Sequence, residues 1–513
     1  MKARWSSLTS SPWVHPLLFA AFPVLFLWSH NLDQGVTPLQ GLSALAAAMS
    51  FAVVVLCLLR FFLGDWSRSA VVASVIVILF LTLGRVKAFL GISGALPDVL
   101  LVAELLSISL VAVVAARKIR PSLTLARTLN LIGIVLIFMN IVPIVAVQDS
   151  DAAGFRFPVV AESLGPSPSS PERDVYYLVF DRYAGAETLS KLYGFDNSGF
   201  YEWLSDHGFE VTKGALANYP QTSHSLASSL NMSYMDDLAR EQGVDSSAWT
   251  PIRRTLQDSA IARTFQAMGY RYEHIGSWWD ATAVDPTADD NYVYGIYTEF
   301  LGMFVSTTAV PVIESLVGVA PGFDKEEWNR VHFQIGALRE IASDPEPTFT
   351  FAHFLLPHPP YIFRADGSFV PSDPDRPVEG AYVDQLKYTN KVIQQVVTQL
   401  QAGSGAAPII VIQSDEGPHP PAVDGGEILK LSWARASDME LGRKLRILNA
   451  YYLPGDPTTR PYPTITPVNT FRVILNDYFG GSLPLLPDRT YVFTDYDHPY
   501  RFEDVTDRLR GRG

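Results

Sequence analysis

Five runs of apolar residues fill the first 150 positions: Trp13–Trp28, Leu42–Leu59, Ser69–Gly84, Val99–Ala116 and Thr128–Val147. Each approaches the ~20 residues with which a helix crosses ~30 Å of hydrocarbon. The pattern predicts a five-helix transmembrane domain over residues 1–148. The first run contains His15, Pro16 and Pro23 and has the length of a signal-peptide core. No small-residue cleavage site follows it, however, and four further runs do. Beyond Val147 the pattern changes. Residues 149–172 are polar, with the Pro/Ser-rich stretch Gly165–Pro171 (GPSPSSP), and predict a linker.

From residue 173 to 513 short β-rich runs alternate with longer amphipathic ones. Val175–Phe180 (VYYLVF), Thr348–Phe354, Ala407–Gln413 (APIIVIQ) and Arg446–Leu453 (RILNAYYL) predict strands. Thr188–His207, Thr222–Leu238 and Tyr382–Leu400 have helical spacing. This alternation predicts one α/β domain, a central sheet with helices on both faces. A further apolar run, Phe300–Ile313, is too short and proline-broken to cross a bilayer. It is either an interfacial segment that helps to admit a lipid or a helix buried in the domain.

Composition and charge sharpen this picture. The chain is 48% hydrophobic and 18% charged, against about 25% charged for an ordinary soluble domain. Residues 1–150 hold ten Lys/Arg and five Asp/Glu, whereas the remainder holds 29 and 47. Lys2, Arg4, Arg60, Arg68, Arg117, Lys118, Arg120 and Arg127 fall on one side of the five spans, and only Arg85 and Lys87 on the other. The positive-inside rule then puts the N-terminus in the cytoplasm and the acidic domain outside. An acidic domain is a poor partner for a phosphate backbone, which excludes nucleic-acid binding. The single cysteine, Cys57, excludes a disulfide scaffold and a cysteine-ligated zinc site. Glu104 lies inside the fourth run, either as a functional carboxylate or turned toward water beside Asp98.

Candidate chemistry gathers where strands end, the usual place for ligands in such sheets. Asp181 follows VYYLVF directly, and Asp415 and Glu416 follow IIVIQS. Two acidic strand ends suggest a metal site for hard cations, Mn²⁺, Mg²⁺ or Ca²⁺, while an added imidazole would admit Zn²⁺. Thr222 or Ser223 in NYPQTSHSLASSLNM stands at a helix N-cap. It is either a capping hydroxyl or a nucleophile stabilised by the helix dipole. His353 and His358 in HFLLPHPPY, and His419 in DEGPHP, lie near the same rim. Trp278 and Trp279 are either pocket walls or core.

Together, YLVFDRY, TSHSLASSLN, PHPPY, SDEG, LNAYYLP and the five-span layout resemble the alkaline-phosphatase/sulfatase superfamily. The resemblance is to its membrane-bound transferases, the lipoteichoic-acid synthases and phosphoethanolamine or phosphoglycerol transferases. It implies an alkaline-phosphatase-like sheet in residues 173–513 and Thr222 as nucleophile. Asp181, Thr222, Asp415, Glu416 and His419 would be ligands to one or two divalent ions, Mn²⁺ or Mg²⁺ ahead of Zn²⁺. His358, His353 and Trp278 would contact substrate. The activity implied is transfer of a phospho-alcohol group from a phospholipid donor to an extracytoplasmic glycan or polymer. The alternatives are a phosphodiesterase or phosphatase with the same site, or a degenerate binding protein. Two departures stand out: Glu416 replaces the family's histidine, and no Cys/Ser-x-Pro-x-Arg segment marks a sulfate-ester hydrolase.

Overall fold

A computed structural model describes residues 11–32, 36–92, 94–119, 121–149, 154–164, 172–373, 376–403, 405–420, 431–455 and 460–511. The Gly165–Pro171 stretch and the charges of Lys2, Arg4 and Arg120 lie outside these residues. The chain forms two compact units, Met1–Ala153 with Ile296–Phe323 and Gly154–Gly295 with Asp324–Gly513. The principal helices are α1 (His15–Ser29), α2 (Pro38–Leu63), α3 (Trp66–Leu90), α4 (Ala95–Lys118), α5 (Leu123–Asp149), α6 (Thr222–Asn231), α7 (Glu299–Ser306), α8 (Val310–Val317), α9 (Gly322–Ile341), α10 (Val378–Gly403) and α11 (Asp438–Leu445).

In the first unit, α2 to α5 are long and apolar enough to cross a membrane. α1 has 15 residues, about 22 Å at 1.5 Å per residue. It nearly matches the apolar run in length but is shorter than the ~30 Å that a span crosses, so the described N-terminal region has four or five apolar helices. α1 is a central element, with Ala20 and Val24 fully buried against Ala44, Ala48 and Ala52 of α2. These small residues recur every fourth position, which lets the two helices approach closely. The α2–α3 turn is written locally. Gly64 ends α2 at φ 68° and Asp65 opens α3 by accepting from Arg68 N at 2.9 Å. At the other end of α3, Lys87 pairs with the buried Asp98 at 2.5 Å, whereas Glu104 is exposed.

The apolar run at 300–313 becomes two helices, α7 and α8, bent by 74°. They pack within the first unit, not in the core of the α/β unit. Phe300 and Phe304 join Val24, Ala48, Val77 and Leu81, while Ala309 and Val312 join Leu83 and Leu101. Ala309 N donates to Phe80 O at 2.7 Å, and Arg85 N to Thr307 O at 3.2 Å.

The second unit is built on seven strands: β1 (Val175–Phe180), β2 (Glu210–Val211), β3 (Arg271–Ile275), β4 (Asp290–Tyr292), β5 (Thr348–Phe354), β6 (Ile409–Gln413) and β7 (Asn449–Tyr452). Their order is β2–β7–β6–β1–β5–β3–β4. β6, β1, β5, β3 and β4 are parallel, and β7 runs against both β6 and β2. β1, β5 and β6 are buried along their whole length, as their unbroken apolar runs require. Tyr177 and Val179 face a core that includes Leu226 and Leu230 of α6. Leu178 and Phe180 face the opposite core, with Leu338 of α9 and Val392 and Val396 of α10. The sequence pattern does not reveal β3 (RYEHI), whose charges hide a strand held by pairing to β5. The helical stretch Thr188–His207 is two helices, Ala186–Tyr193 and Ser198–Asp206, separated after the first by Gly194 at φ 59°.

The hairpin's contact with α3 depends on Gly84, where a Cβ would lie 2.1 Å from Ser306 O and 2.7 Å from Thr308 O. Gly84→Val should therefore cost about 1–3 kcal/mol, measured as a lower melting temperature of the detergent-solubilised protein. An unchanged melting temperature would rule out this close packing.

Candidate active site

Three adjacent strands, in the order β6–β1–β5, end at the same edge because they run parallel. The register places Val179 beside both His353 and Gln413. Side chains alternate between faces along a strand. Asp181 and Asp415, each two residues further on, therefore continue the face to which His353 belongs. One ligand atom from each of Asp181, His353 and Asp415 lies within 4.8 Å of the others, and all three residues are buried. His353 Nε2 is 3.6 Å from Asp181 Oδ2.

These residues fit a cation. His353 Nε2, Asp181 Oδ1 and both Asp415 carboxylate oxygens are buried without a hydrogen-bond partner among the described residues. Buried charges are costly unless paired or bound to a metal. Burial, with the nearby Glu416 carboxylate, pushes Asp181 up to about 7. Burial and the Asp181 and Glu416 charges push Asp415 well above the carboxylate range. Burial also holds the His353 ring down to about 4, which keeps it neutral, the form that ligates. Thr282 Oγ1 lies 2.8 Å from His353 Nδ1 and orients the ring so that Nε2 is left for the carboxylates.

Thr222 is the first residue of α6, and Gln221 takes the N-cap position with no side-chain cap. The hydroxyl is thus free of the capping role that one sequence reading gave it. It lies close enough to the Asp415 carboxylate to favour its charged form. α6 is tied to this loop by Ser225 Oγ, which donates to Asp415 O at 2.7 Å. Its far end is held by Asn231, whose side-chain amide donates to Thr255 O and whose Oδ1 accepts from Ala260 N, both at 2.8 Å.

The structure distributes the other predicted residues differently from the sequence expectation. His353 was expected on the substrate side, but its ring joins the two aspartates. Glu416 does not join that group. Its carboxylate meets Lys444 Nζ of α11 at 2.5 Å and Arg182 Nε at 3.4 Å, with Lys444 fully buried. A buried ammonium needs a counter-charge, and Glu416 supplies it. His419 is buried near Trp433 rather than beside the aspartates. Burial, then the neighbouring Arg182 and Lys444 cations, hold it well below an ordinary imidazole. His358 is half-buried, with its ring 5.7 Å from that of Trp278 and Nδ1 against Pro359 O. Burial and the Arg182 charge hold this ring neutral as well.

Sequence reasoning missed Arg182, Lys444 and Thr282. Arg182 could have been found from its place directly after Asp181, but Lys444 and Thr282 carry no local signal. Arg182 stands at φ 62°, an unfavourable region for a residue with a Cβ. It is held there by Tyr382 Oη, which donates to Arg182 O at 2.9 Å.

The sulfatase family model matches residues 192–471. No curated protein matches the chain. Similar solved structures include the C-terminal periplasmic domain of EcEptC from Escherichia coli, 14% identical, covering 66% of this chain and 96% of that one, with a TM-score of 0.43. The lipoteichoic acid synthase LtaP from Listeria monocytogenes is 12% identical, with coverage of 66% and 82% and a TM-score of 0.39. The phosphonate monoester hydrolase of Agrobacterium radiobacter is 14% identical, with coverage of 63% and 80% and a TM-score of 0.35.

Two measurements test the site. Thr282→Val removes the hydroxyl that orients His353 and should weaken Mn²⁺ or Zn²⁺ binding about 10–100-fold by titration calorimetry. Wild-type affinity in both Thr282→Val and His353→Ala would remove His353 from the ligand group. Glu416→Gln leaves buried cations without their carboxylate and should cost about 3–5 kcal/mol of unfolding free energy. The double variant Glu416→Gln/Lys444→Met should recover part of that loss. Additive losses in the double variant would mean that the pair is not coupled.

Proposed function

The chain belongs to the sulfatase family, and from that premise we propose that it is a membrane-anchored, metal-dependent transferase. It would move a phospho-alcohol group, of phosphoglycerol or phosphoethanolamine type, from a phospholipid to an extracytoplasmic glycan or polymer. In this reading residues 1–148 anchor the chain, 149–172 link and 173–513 carry the catalytic domain outside the membrane. The observation that carries the reading is the buried Asp181–His353–Asp415 group, to whose Asp415 loop the start of α6, opened by Thr222, is tied by Ser225 Oγ at 2.7 Å.

Asp181, His353 and Asp415 would hold the ion, with Thr222 as a further ligand. Two carboxylates and one imidazole admit Zn²⁺ alongside Mn²⁺ and Mg²⁺. When bound, a divalent ion there neutralises phosphodiester charge and lowers the pKa of a ligated hydroxyl. Thr222 Oγ1 forms the new bond to phosphorus as the bond to the diacylglycerol oxygen breaks, and the proton that Thr222 loses ends on that oxygen, so that diacylglycerol leaves as the free hydroxyl. The N-terminal end of α6, with its positive dipole, favours the developing negative charge. Arg182 and Lys444 set two cations against the single Glu416 carboxylate, which suits the non-bridging phosphoryl oxygens. An acceptor hydroxyl then attacks the phospho-threonine and releases Thr222. The acceptor's proton passes to the released Thr222 oxygen, and His358, neutral and with the nitrogen against Pro359 O as its donor, keeps Nε2 to accept a hydrogen bond that orients the acceptor hydroxyl.

Purified protein incubated with phospholipid and a divalent ion should carry a mass increase on Thr222, mapped by peptide mass spectrometry, whose size identifies the headgroup. Thr222→Ala should lower turnover on the order of 10⁴-fold or more with an unchanged melting temperature. Full activity in that variant would sink the assignment. Turnover that water supports as well as any added glycan would make the protein a hydrolase with the same site.

A further inference from the structure

The hairpin α7–α8 is covalently part of the α/β half of the sequence yet packs with the membrane helices. We propose that residues 299–319 are a re-entrant membrane element, with acyl chains of the leaflet on the α/β side as its partner, so that the α/β unit is tethered to the bilayer at a second point. This inference stands independently of the transferase reading.

Topology requires that the hairpin enter and leave by the same face. β4 precedes it and β5 follows it, and β3 pairs with both. The flanking segments therefore lie in one sheet and on one side of any bilayer. A single crossing by the bent pair would separate them. Length agrees, since each helix has eight residues, about 12 Å, against ~30 Å of hydrocarbon.

The contacts fall at the corresponding end of the helices. Crossings by α4 and α5 put the end of α3, the start of α4 and the end of α5 on one side, and the α/β unit follows α5. The hairpin tip meets α3 at Phe80 to Arg85, and Ala309 and Val312 meet Leu83 and Leu101.

The tip has the hydrogen bonding that hydrocarbon demands. Irregular backbone survives at membrane depth only where protein satisfies its polar groups. Thr307 N and Thr308 N donate to Phe304 O and Val305 O at 3.1 and 3.0 Å, and Ala309 N donates to Phe80 O. The hydroxyls of Ser306, Thr307 and Thr308 each donate back to a carbonyl three residues earlier at 2.7 Å. On the outward side Ile313, Val317 and Val319 are 39%, 65% and 58% exposed. On α4, against which α8 packs through Val312 and Leu101, Leu110 is 63% exposed.

Site-directed fluorescence quenching tests this on the full-length chain in phospholipid nanodiscs. In a Cys57→Ser background, a bimane probe is placed in turn at Ile313→Cys, Val317→Cys and Val319→Cys. Leu110→Cys serves as the lipid-facing reference and Val244→Cys, in the α/β unit, as the aqueous one. Melting curves matching the parent establish that each variant is folded. Brominated acyl chains should quench the hairpin probes to within about twofold of Leu110→Cys, and aqueous iodide should quench them at least fivefold less than Val244→Cys. Iodide quenching equal to that at Val244→Cys would overturn the proposal, because the hairpin would then lie in water. Protection from both quenchers would also overturn it, because protein and not lipid would cover the face.

Discussion

Parallel pairing of β6, β1 and β5 is the constraint on which the site depends. Each strand alone contributes one polar side chain at or just beyond its carboxyl end. Hydrogen-bonded register, with Val179 beside both His353 and Gln413, puts the three residues on one face and at one height. A one-residue slip in either ladder would turn one of them toward the other core. The dense apolar burial of both faces opposes that slip, so the packing that stabilises the sheet also sets the spacing of Asp181, His353 and Asp415.

Charge organises what lies around that group. Burial and the Glu416 charge push Asp181 up, burial and the Asp181 and Glu416 charges push Asp415 up, and Arg182 and Lys444 partly offset this at Asp181. The result is a division of labour within one dipeptide. Asp415 faces the neutral imidazole of His353, while Glu416 is committed to buried cations. Glutamate at a position where the resembling family places histidine is therefore accommodated by a local counter-charge, and His353 stands in the group of potential ligands instead. Gly417 makes this arrangement possible, since its N–H donates to Lys444 O at 2.6 Å and a Cβ there would lie 2.2 Å from Arg443 O.

The first unit obeys a different rule. Its helices are held by small residues and close backbone approach, at Ala44, Ala48 and Ala52 of α2 and at Gly84 of α3. The hairpin α7–α8 belongs to this packing even though its sequence neighbours are strands of the sheet, because Phe300, Phe304, Ala309 and Val312 pack among apolar helices.

Whereas Thr222 was singled out only by the family resemblance, the local pattern of the sequence was enough for the apolar helices, for strands β1, β5 and β6, and for the position of Asp181 and Asp415 at the ends of parallel strands. Those features depend on short-range periodicity and on the rule that ligands gather at strand ends. Strand β3 was hidden because Arg271 and Glu273 break the apolar pattern, and pairing with β5 restores what propensity lacks. The placement of His353, the commitment of Glu416 to Lys444 and the orienting hydroxyl of Thr282 were decided by tertiary structure alone. Each depends on which side chain from a distant segment arrives at a given face, and that is set by strand register and buried charge balance, neither of which leaves a signature in neighbouring residues.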